Sequence, residues 1–160
     1  MSIDSKLSHI DDQNNPAMVD VSGKVVTSRM ARARAVVHLG SKIVSLLEDG
    51  EINTKKGPVF QTAIIAGTMA AKKTGDLIPL CHPLGIESCK FQIKVAGDDV
   101  IIDCTTTISS KTGVEMEALT GASLAALTIY DMCKAMSHDI TIREIKLMEK
   151  KGGKNDYIRK

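Results

Sequence analysis

The longest unbroken helical pattern in the chain runs from Thr112 to Met136, where Leu119, Ala122, Ala126, Ile129, Cys133 and Met136 recur at steps of three and four and no proline intervenes. That stripe predicts a single long helix with one face against a core. Thr112 stands three residues before Glu115, the spacing of a capping box, and so marks the expected start. Gly121, Ala122, Ser123, Ala125 and Ala126 are all small, so the face can approach a neighbour closely, against a cost of roughly 0.8 to 1 kcal/mol for a mid-helix glycine. Charge is confined to the ends: Glu115 and Glu117 in the first turns, Asp131 and Lys134 in the last.

The other elements read from their own periods. Residues 25–39 alternate in twos, with Ala31, Ala33 and Ala35 on one face and Arg32 and Arg34 on the other, which predicts a strand. Ile43, Leu46 and Leu47 fall at helical spacing before Gly50, predicting a short helix over 41–49. A charged turn leads to Lys55-Lys56-Gly57-Pro58, and Pro58 suits the first turn of a second helix that carries Phe60, Ile64, Gly67 and Ala71 to about Gly75. Pro79 and Pro83 exclude regular structure from residues 77–84 and make that apolar stretch a rigid loop. Cys89, Phe91, Ile93 and Val95, then Val100, Ile102, Cys104, Thr106 and Ile108, alternate on either side of Gly97-Asp98-Asp99 and predict a hairpin. In residues 140–149 the apolar positions change parity between Ile142 and Ile145, which a one-residue bulge near Arg143 or Glu144 reconciles.

The order strand, helix, helix, strand, strand, helix, strand is a split β-α-β pattern with one extra helix. It predicts an α+β sandwich of ferredoxin-like type, an antiparallel four-stranded sheet with helices packed on one face. Residues 1–17 are polar and aperiodic and read as a flexible tail, followed by a single domain over 18–154 and a C-terminal tail over 155–160.

Composition narrows the function classes. No run approaches the eighteen apolar residues of a membrane span, and the N-terminus lacks the apolar region of a signal peptide, so the expected place is the cytoplasm, away from membranes. A net charge of +2, with two phenylalanines, two tyrosines and no tryptophan, argues against a nucleic-acid partner. Cys81, Cys89, Cys104 and Cys133 include no C-x-x-C pair and read as reduced thiols.

Candidate chemistry gathers at four places. Asp131 and Lys134, three apart on a helix, project from one face. Alone they could be a surface ion pair; in an otherwise apolar turn, a lowered lysine pKa would suit acid-base work. His82, between Cys81 and Pro83, is either a hydrogen-bonded structural residue or an imidazole presented to a ligand. No further ligand follows at zinc spacing, so no metal is expected there. Glu115 is accounted for by the capping box, which leaves Glu117 as the better substrate contact. Lys56 beside Gly57, and Gly152-Gly153-Lys154 near Lys150, lack the P-loop spacing and read either as solvated basic residues or as an anion site.

These same segments, Leu77-Ile-Pro-Leu-Cys-His-Pro-Leu84, Lys111-Thr-Gly-Val-Glu-Met-Glu-Ala-Leu-Thr120, Ala126-Leu-Thr-Ile-Tyr-Asp-Met-Cys-Lys134 and the Gly-Gly-Lys154 turn, closely resemble the cyclic pyranopterin monophosphate synthase family of molybdenum cofactor biosynthesis. The resemblance covers roughly residues 17–154. It implies a hexamer, a trimer of dimers with active sites at subunit interfaces, that converts 3′,8-cyclo-7,8-dihydroguanosine 5′-triphosphate into cyclic pyranopterin monophosphate and releases pyrophosphate without a cofactor. By motif match it makes Asp131 the catalytic aspartate and puts Leu80, Cys81, His82, Met116 and Glu117 on substrate-binding segments. Lys56, Lys134 and Lys150 match lysines near the substrate, and Lys154 belongs to the same basic turn. Pro58 departs from the family's usual aspartate, and the pattern leaves the choice between Lys55 and Lys56 open.

Two further expectations follow from combining the motifs with geometry. Lys134, with Lys56 from across the interface, would exchange protons while Asp131 orients or deprotonates and Lys150 and Lys154 neutralise pyrophosphate. Asp131 and Glu117 lie fourteen residues apart, about 21 Å along one helix, so each site would draw on two chains. The competing class is a non-catalytic ferredoxin-like ligand sensor or RNA-binding module, which needs no acid-base pair.

Overall fold

Alanine at every second position of β1 (Thr27–His38) brings the central strand close under the helices: Ala31, Ala33, Ala35 and Val37 are fully buried. The computed structural model describes residues 9–160, so the part of the expected N-terminal tail over 1–8 lies outside the described residues. After β1 come α1 (Ser41–Val44), β2 (Leu47–Glu48), β3 (Glu51–Thr54), β4 (Gly57–Pro58), α2 (Val59–Lys72) and α3 (Thr74–Leu77). The chain continues through β5 (Ser88–Ala96), β6 (Asp99–Ser110), α4 (Glu115–Cys133), β7 (Thr141–Lys151) and β8 (Tyr157–Ile158).

The main sheet is antiparallel throughout, in the order β5-β6-β1-β7-β8, with α4 packed across β1, β6 and β7 and with α2 beside α4. Among the described residues it has five strands rather than the expected four. The fifth, β8, comes from the stretch read as a C-terminal tail and pairs Tyr157 with Lys150. Between sheet and helices lie the fully buried Ile102 and Ile129, each contributing about 1.5 to 3 kcal/mol by leaving water. The opposite face carries ion pairs instead, Arg34 with Asp103 at 2.8 Å and Arg32 with Glu149 at 3.6 Å.

Where the structure departs from expectation, a local signal had two readings. The helix predicted over 41–49 is one turn, after which Leu47–Glu48 and Glu51–Thr54 form a hairpin. Asp49 and Gly50 both have positive φ, 50° and 80°, so Asp-Gly acts as a two-residue hairpin turn and not as a helix stop. The hairpin matters for α2. Glu51 accepts the backbone N–H of Phe60 at 2.8 Å and of Gln61 at 3.0 Å, so it caps a helix whose N-cap residue, Pro58, has no side chain to do so.

The long helix starts at Glu115, not Thr112, and Val114 at its N-cap makes no side-chain capping bond. Its start is tied down instead by buried Thr106 of β6, whose hydroxyl donates to the Val114 carbonyl at 3.1 Å. Strand β7 bulges twice. One register shift falls beside Arg143, as expected, and keeps Ile142 and Ile145 on the helix-facing side opposite Val37 and Ala35. The second falls at Met148, between Leu147 and Glu149.

Candidate active site

The second bulge decides where Lys150 points. In a regular strand Lys150 would share a face with Met148 and Lys146 and so point away from the helices. With Met148 looped out, Leu147 and Lys150 face the helices together, opposite Ala33 and Ala31, while Glu149 turns to Arg32 on the other side. Lys150 Nζ then reaches the Glu115 carboxylate at 3.0 Å in the first turn of α4. Glu115, expected to serve a capping box with Thr112, is held by this ion pair.

A cleft of about 540 Å³ opens there. It is lined by Lys24, Arg29, Lys150, Lys151 and Lys154 with the Gly152-Gly153 turn, against one carboxylate among the described residues, that of Glu115. Lys150, Lys151 and Lys154 form the C-terminal basic cluster that the sequence offers to an anion, whereas sequence reasoning missed Lys24 and Arg29 as members. Arg29 carried a signal, since it continues the parity of Ala31 and Ala33 into the helix-facing side. Its Nη2 donates to the Lys111 carbonyl at 3.3 Å, and its Nε is buried without a partner among the described residues.

Gly113 and Glu115 also line a second cavity of about 310 Å³, so the two spaces adjoin. The second is walled by Leu80, Cys81, His82, Met116 and Glu117. The proline-fixed loop and the first turn of α4 thus meet. His82 Nε2 lies 2.8 Å from the Val19 carbonyl and must be the protonated ring nitrogen, because a carbonyl only accepts. The histidine is therefore both a structural link to residue 19 and part of the wall. Glu117 is 3% exposed, and burial pushes its carboxyl pKa up, with the Glu115 carboxylate adding to the effect. Among the described residues it has no ion-pair partner. A buried carboxyl with a raised pKa in a cleft is a signature of a working site. Burial, helped by Glu117, likewise raises the Cys81 thiol.

Asp131, Lys134 and Lys56 are gathered elsewhere, at the other end of α4. Lys134 Nζ lies 2.8 Å from Asp131 Oδ1, and Lys56 Nζ lies 2.8 Å from Oδ2 and donates to the Asp131 carbonyl at 2.9 Å. The two lysines, Lys134 first, hold the Asp131 carboxyl down at about 2. The hydrogen bond to Asp131 raises Lys134, which corrects the expectation that an apolar turn would lower it. The turn is split by helical geometry: Met132 and Cys133 enter the core while Asp131 and Lys134 stay in solvent. A second correction concerns Lys56, expected from across an interface. It reaches Asp131 within one chain, carried by the β3–β4 turn that Glu51 anchors to α2. Lys56 makes this contact, and Lys55 is in no ion pair among the described residues.

The expected site residues therefore fall into two groups. Lys56, Asp131 and Lys134 share the C-terminal end of α4; Leu80, Cys81, His82, Met116, Glu117, Lys150 and Lys154 surround its N-terminal end. Fourteen residues of helix separate Glu117 from Asp131, about 21 Å.

Comparison with known proteins points one way. The model of the MoaC family matches residues 18–153. A cyclic pyranopterin monophosphate synthase from Xanthomonas oryzae pv. oryzae (strain MAFF 311018) is 51% identical, over 95% of this chain and 93% of its own. A molybdenum cofactor biosynthesis bifunctional protein of Synechocystis sp. is 53% identical over 92% of this chain and 44% of its own length. Molybdenum cofactor biosynthesis protein 1 of Drosophila melanogaster is 48% identical over 97% of this chain and 27% of its own.

Proposed function

The chain belongs to the MoaC family, and from that premise we propose that it is a cyclic pyranopterin monophosphate synthase. It acts at an early step of molybdenum cofactor biosynthesis, turning 3′,8-cyclo-7,8-dihydroguanosine 5′-triphosphate into cyclic pyranopterin monophosphate. The reaction opens a purine-derived ring with water, recondenses it as a pterin, and closes a cyclic phosphate when a ribose oxygen attacks phosphorus and pyrophosphate leaves. The order β5-β6-β1-β7 of the four long strands, with β8 added at the edge, supports reading the fold as a ferredoxin-like sandwich. Among the described residues no helix is long and apolar enough to cross a membrane, and we assign the enzyme to the cytoplasm.

The observation that carries the mechanism is the separation of the two groups along α4. A substrate of nucleotide size in the adjoining cavities touches Leu80, Cys81, His82, Met116 and Glu117 with its ring system and meets Lys150 and Lys154 with its phosphates. It does not reach Asp131 of the same chain about 21 Å away along the helix. The second group is supplied by a neighbouring subunit, in a hexamer built as a trimer of dimers. Asp131, held at about 2, is a weak base at neutral pH; its role is to fix two ammonium groups and orient the reacting atoms. Enclosure by the neighbour removes water from Lys134 and Lys56, which lowers the cost of giving up a proton. Lys134 exchanges protons with the rearranging ring, assisted by Lys56.

The test has two parts. Incubation with the cyclised triphosphate should yield pyrophosphate and a pterin product, and binding without turnover would indicate a ligand sensor instead. Mixing Asp131→Asn with Glu117→Gln, each inactive alone, should recover part of the activity once subunits exchange. No recovery after verified exchange would remove the shared site.

A further inference from the structure

Two of the four cysteines stand outside the candidate site and in contact with each other. Cys89 on β5 and Cys104 on β6 both face the helices, and their sulfurs lie 3.9 Å apart. The register sets Cys89 opposite Thr106 and Phe91 opposite Cys104, so the two are diagonal neighbours across the strand pair. Their surroundings differ. Cys104 is fully buried, its sulfur against Gly121 of α4, whereas Cys89 is partly exposed and lines a cavity of about 410 Å³ with Thr68, Lys72 and Leu84. Cys89 thus borders the cavity, and the Cys104 sulfur lies behind it in the core.

We propose that Cys89 is a site of oxidation by hydrogen peroxide and that Cys104 resolves it, forming a reversible disulfide that ties β5 to β6. In the first step the Cys89 thiolate attacks the peroxide; the O–O bond breaks, an S–O bond forms, and the sulfur is oxidised to sulfenic acid while the second oxygen leaves as hydroxide. In the second, the Cys104 sulfur displaces the Cys89 hydroxyl; the S–S bond forms, the S–O bond breaks, and the Cys104 proton leaves with it as water. Two thiols and one peroxide thus give one disulfide and two waters. A hydrogen bond from Cys104, aided by Thr68, holds the Cys89 thiol below its usual pKa and so favours the reactive thiolate, while the same contact and burial raise Cys104. The order of attack follows: the cavity-lining, lower-pKa sulfur first, the buried one second. Diagonal neighbours in an antiparallel pair stand about 7 to 8 Å apart at Cα, beyond the roughly 4.4 to 6.8 Å usual for disulfides, so closing the bond requires β5 and β6 to shift towards each other, and the resulting strained disulfide is one that thiol reductants readily reverse.

The experiment is titration of the full-length protein with hydrogen peroxide, then alkylation, non-reducing digestion and mass spectrometry. A Cys89–Cys104 linked peptide should appear before any oxidation of Cys81, whose thiol pKa is raised, and dithiothreitol should abolish it. With Cys104→Ala, dimedone should trap Cys89 as sulfenic acid; with Cys89→Ser, Cys104 should remain unmodified. Oxidation of Cys81 ahead of Cys89, or oxidation of Cys89 in the wild type without a linked peptide, would overturn the proposal.

Discussion

Gly67→Ala tests whether close approach of α2 and α4 holds the lysine–aspartate cluster together. A Cβ on Gly67 would lie 2.7 Å from the Gly121 carbonyl oxygen and 2.5 and 2.8 Å from the Phe91 ring atoms Cζ and Cε1. The ring can swing at its end, but the carbonyl belongs to α4 and moves only with the helix. Alanine brings a helix-propensity gain of about 1 kcal/mol, set against roughly 1 to 3 kcal/mol for forcing atoms into a filled space. Because a backbone atom is among the overlaps, the upper part of that range applies, and the net loss is about 1 to 2 kcal/mol. For a chain of this size that lowers Tm by roughly 2 to 8 °C. Urea unfolding at fixed protein concentration should show a lower midpoint at unchanged slope. Pushing α2 away from α4 also draws Lys56 from Asp131, so turnover should fall even at temperatures where the variant stays folded. Gly23→Ala is the control, since among the described residues nothing lies within 4 Å of its added Cβ and its φ is not positive; it should be neutral or stabilising by up to about 1 kcal/mol. A Gly67→Ala midpoint at or above wild type would refute the reasoning.

Other outcomes are expected at the site. Folded Glu117 holds its proton above the ordinary value of 4.5 at which the unfolded chain releases it, so wild-type stability falls as pH rises from 4.5 through the folded pKa. Glu117→Gln cannot titrate and should flatten that part of the pH–stability curve, gaining on wild type towards neutrality; parallel curves would mean the carboxyl is not desolvated. Lys134→Arg keeps the charge and the ion pair but cannot readily release a proton, so calorimetry should show substrate binding retained while turnover drops at least about 100-fold. Near-wild-type turnover would leave Lys134 only a counter-ion. Lys150→Ala should raise KM roughly tenfold or more with a smaller change in kcat, because it removes a phosphate partner and frees Glu115 to repel the substrate; a pure kcat loss would move Lys150 into the chemistry.

What the sequence determined by itself was whatever a period of two or of 3.6 residues can encode. The alternation of Ala31, Ala33 and Ala35 with Arg32 and Arg34 set β1 and its two faces, the hairpin of β5 and β6 followed in the same way, and Ala122, Ala126, Ile129 and Cys133 marked the buried side of α4. The parity change between Ile142 and Ile145 was enough to locate a bulge. Each of these rests on neighbours along the chain. The tertiary structure decided what depends on partners far away in sequence. Asp49-Gly50 could end a helix or turn a hairpin, and only Glu51 meeting Phe60 and Gln61 distinguishes them. Thr112 could cap α4, but Lys150 takes Glu115 and Thr106 takes the Val114 carbonyl, so the helix begins later. The bulge at Met148 breaks no visible apolar pattern, yet it turns Lys150 towards the cleft. The protonation of Lys134 likewise followed not from its apolar sequence neighbours, which point into the core, but from a carboxylate across one turn and the solvent around it. Periodicity reports which side of an element is buried; the charge state and aim of a single side chain are set by what the fold brings within a few ångströms of it.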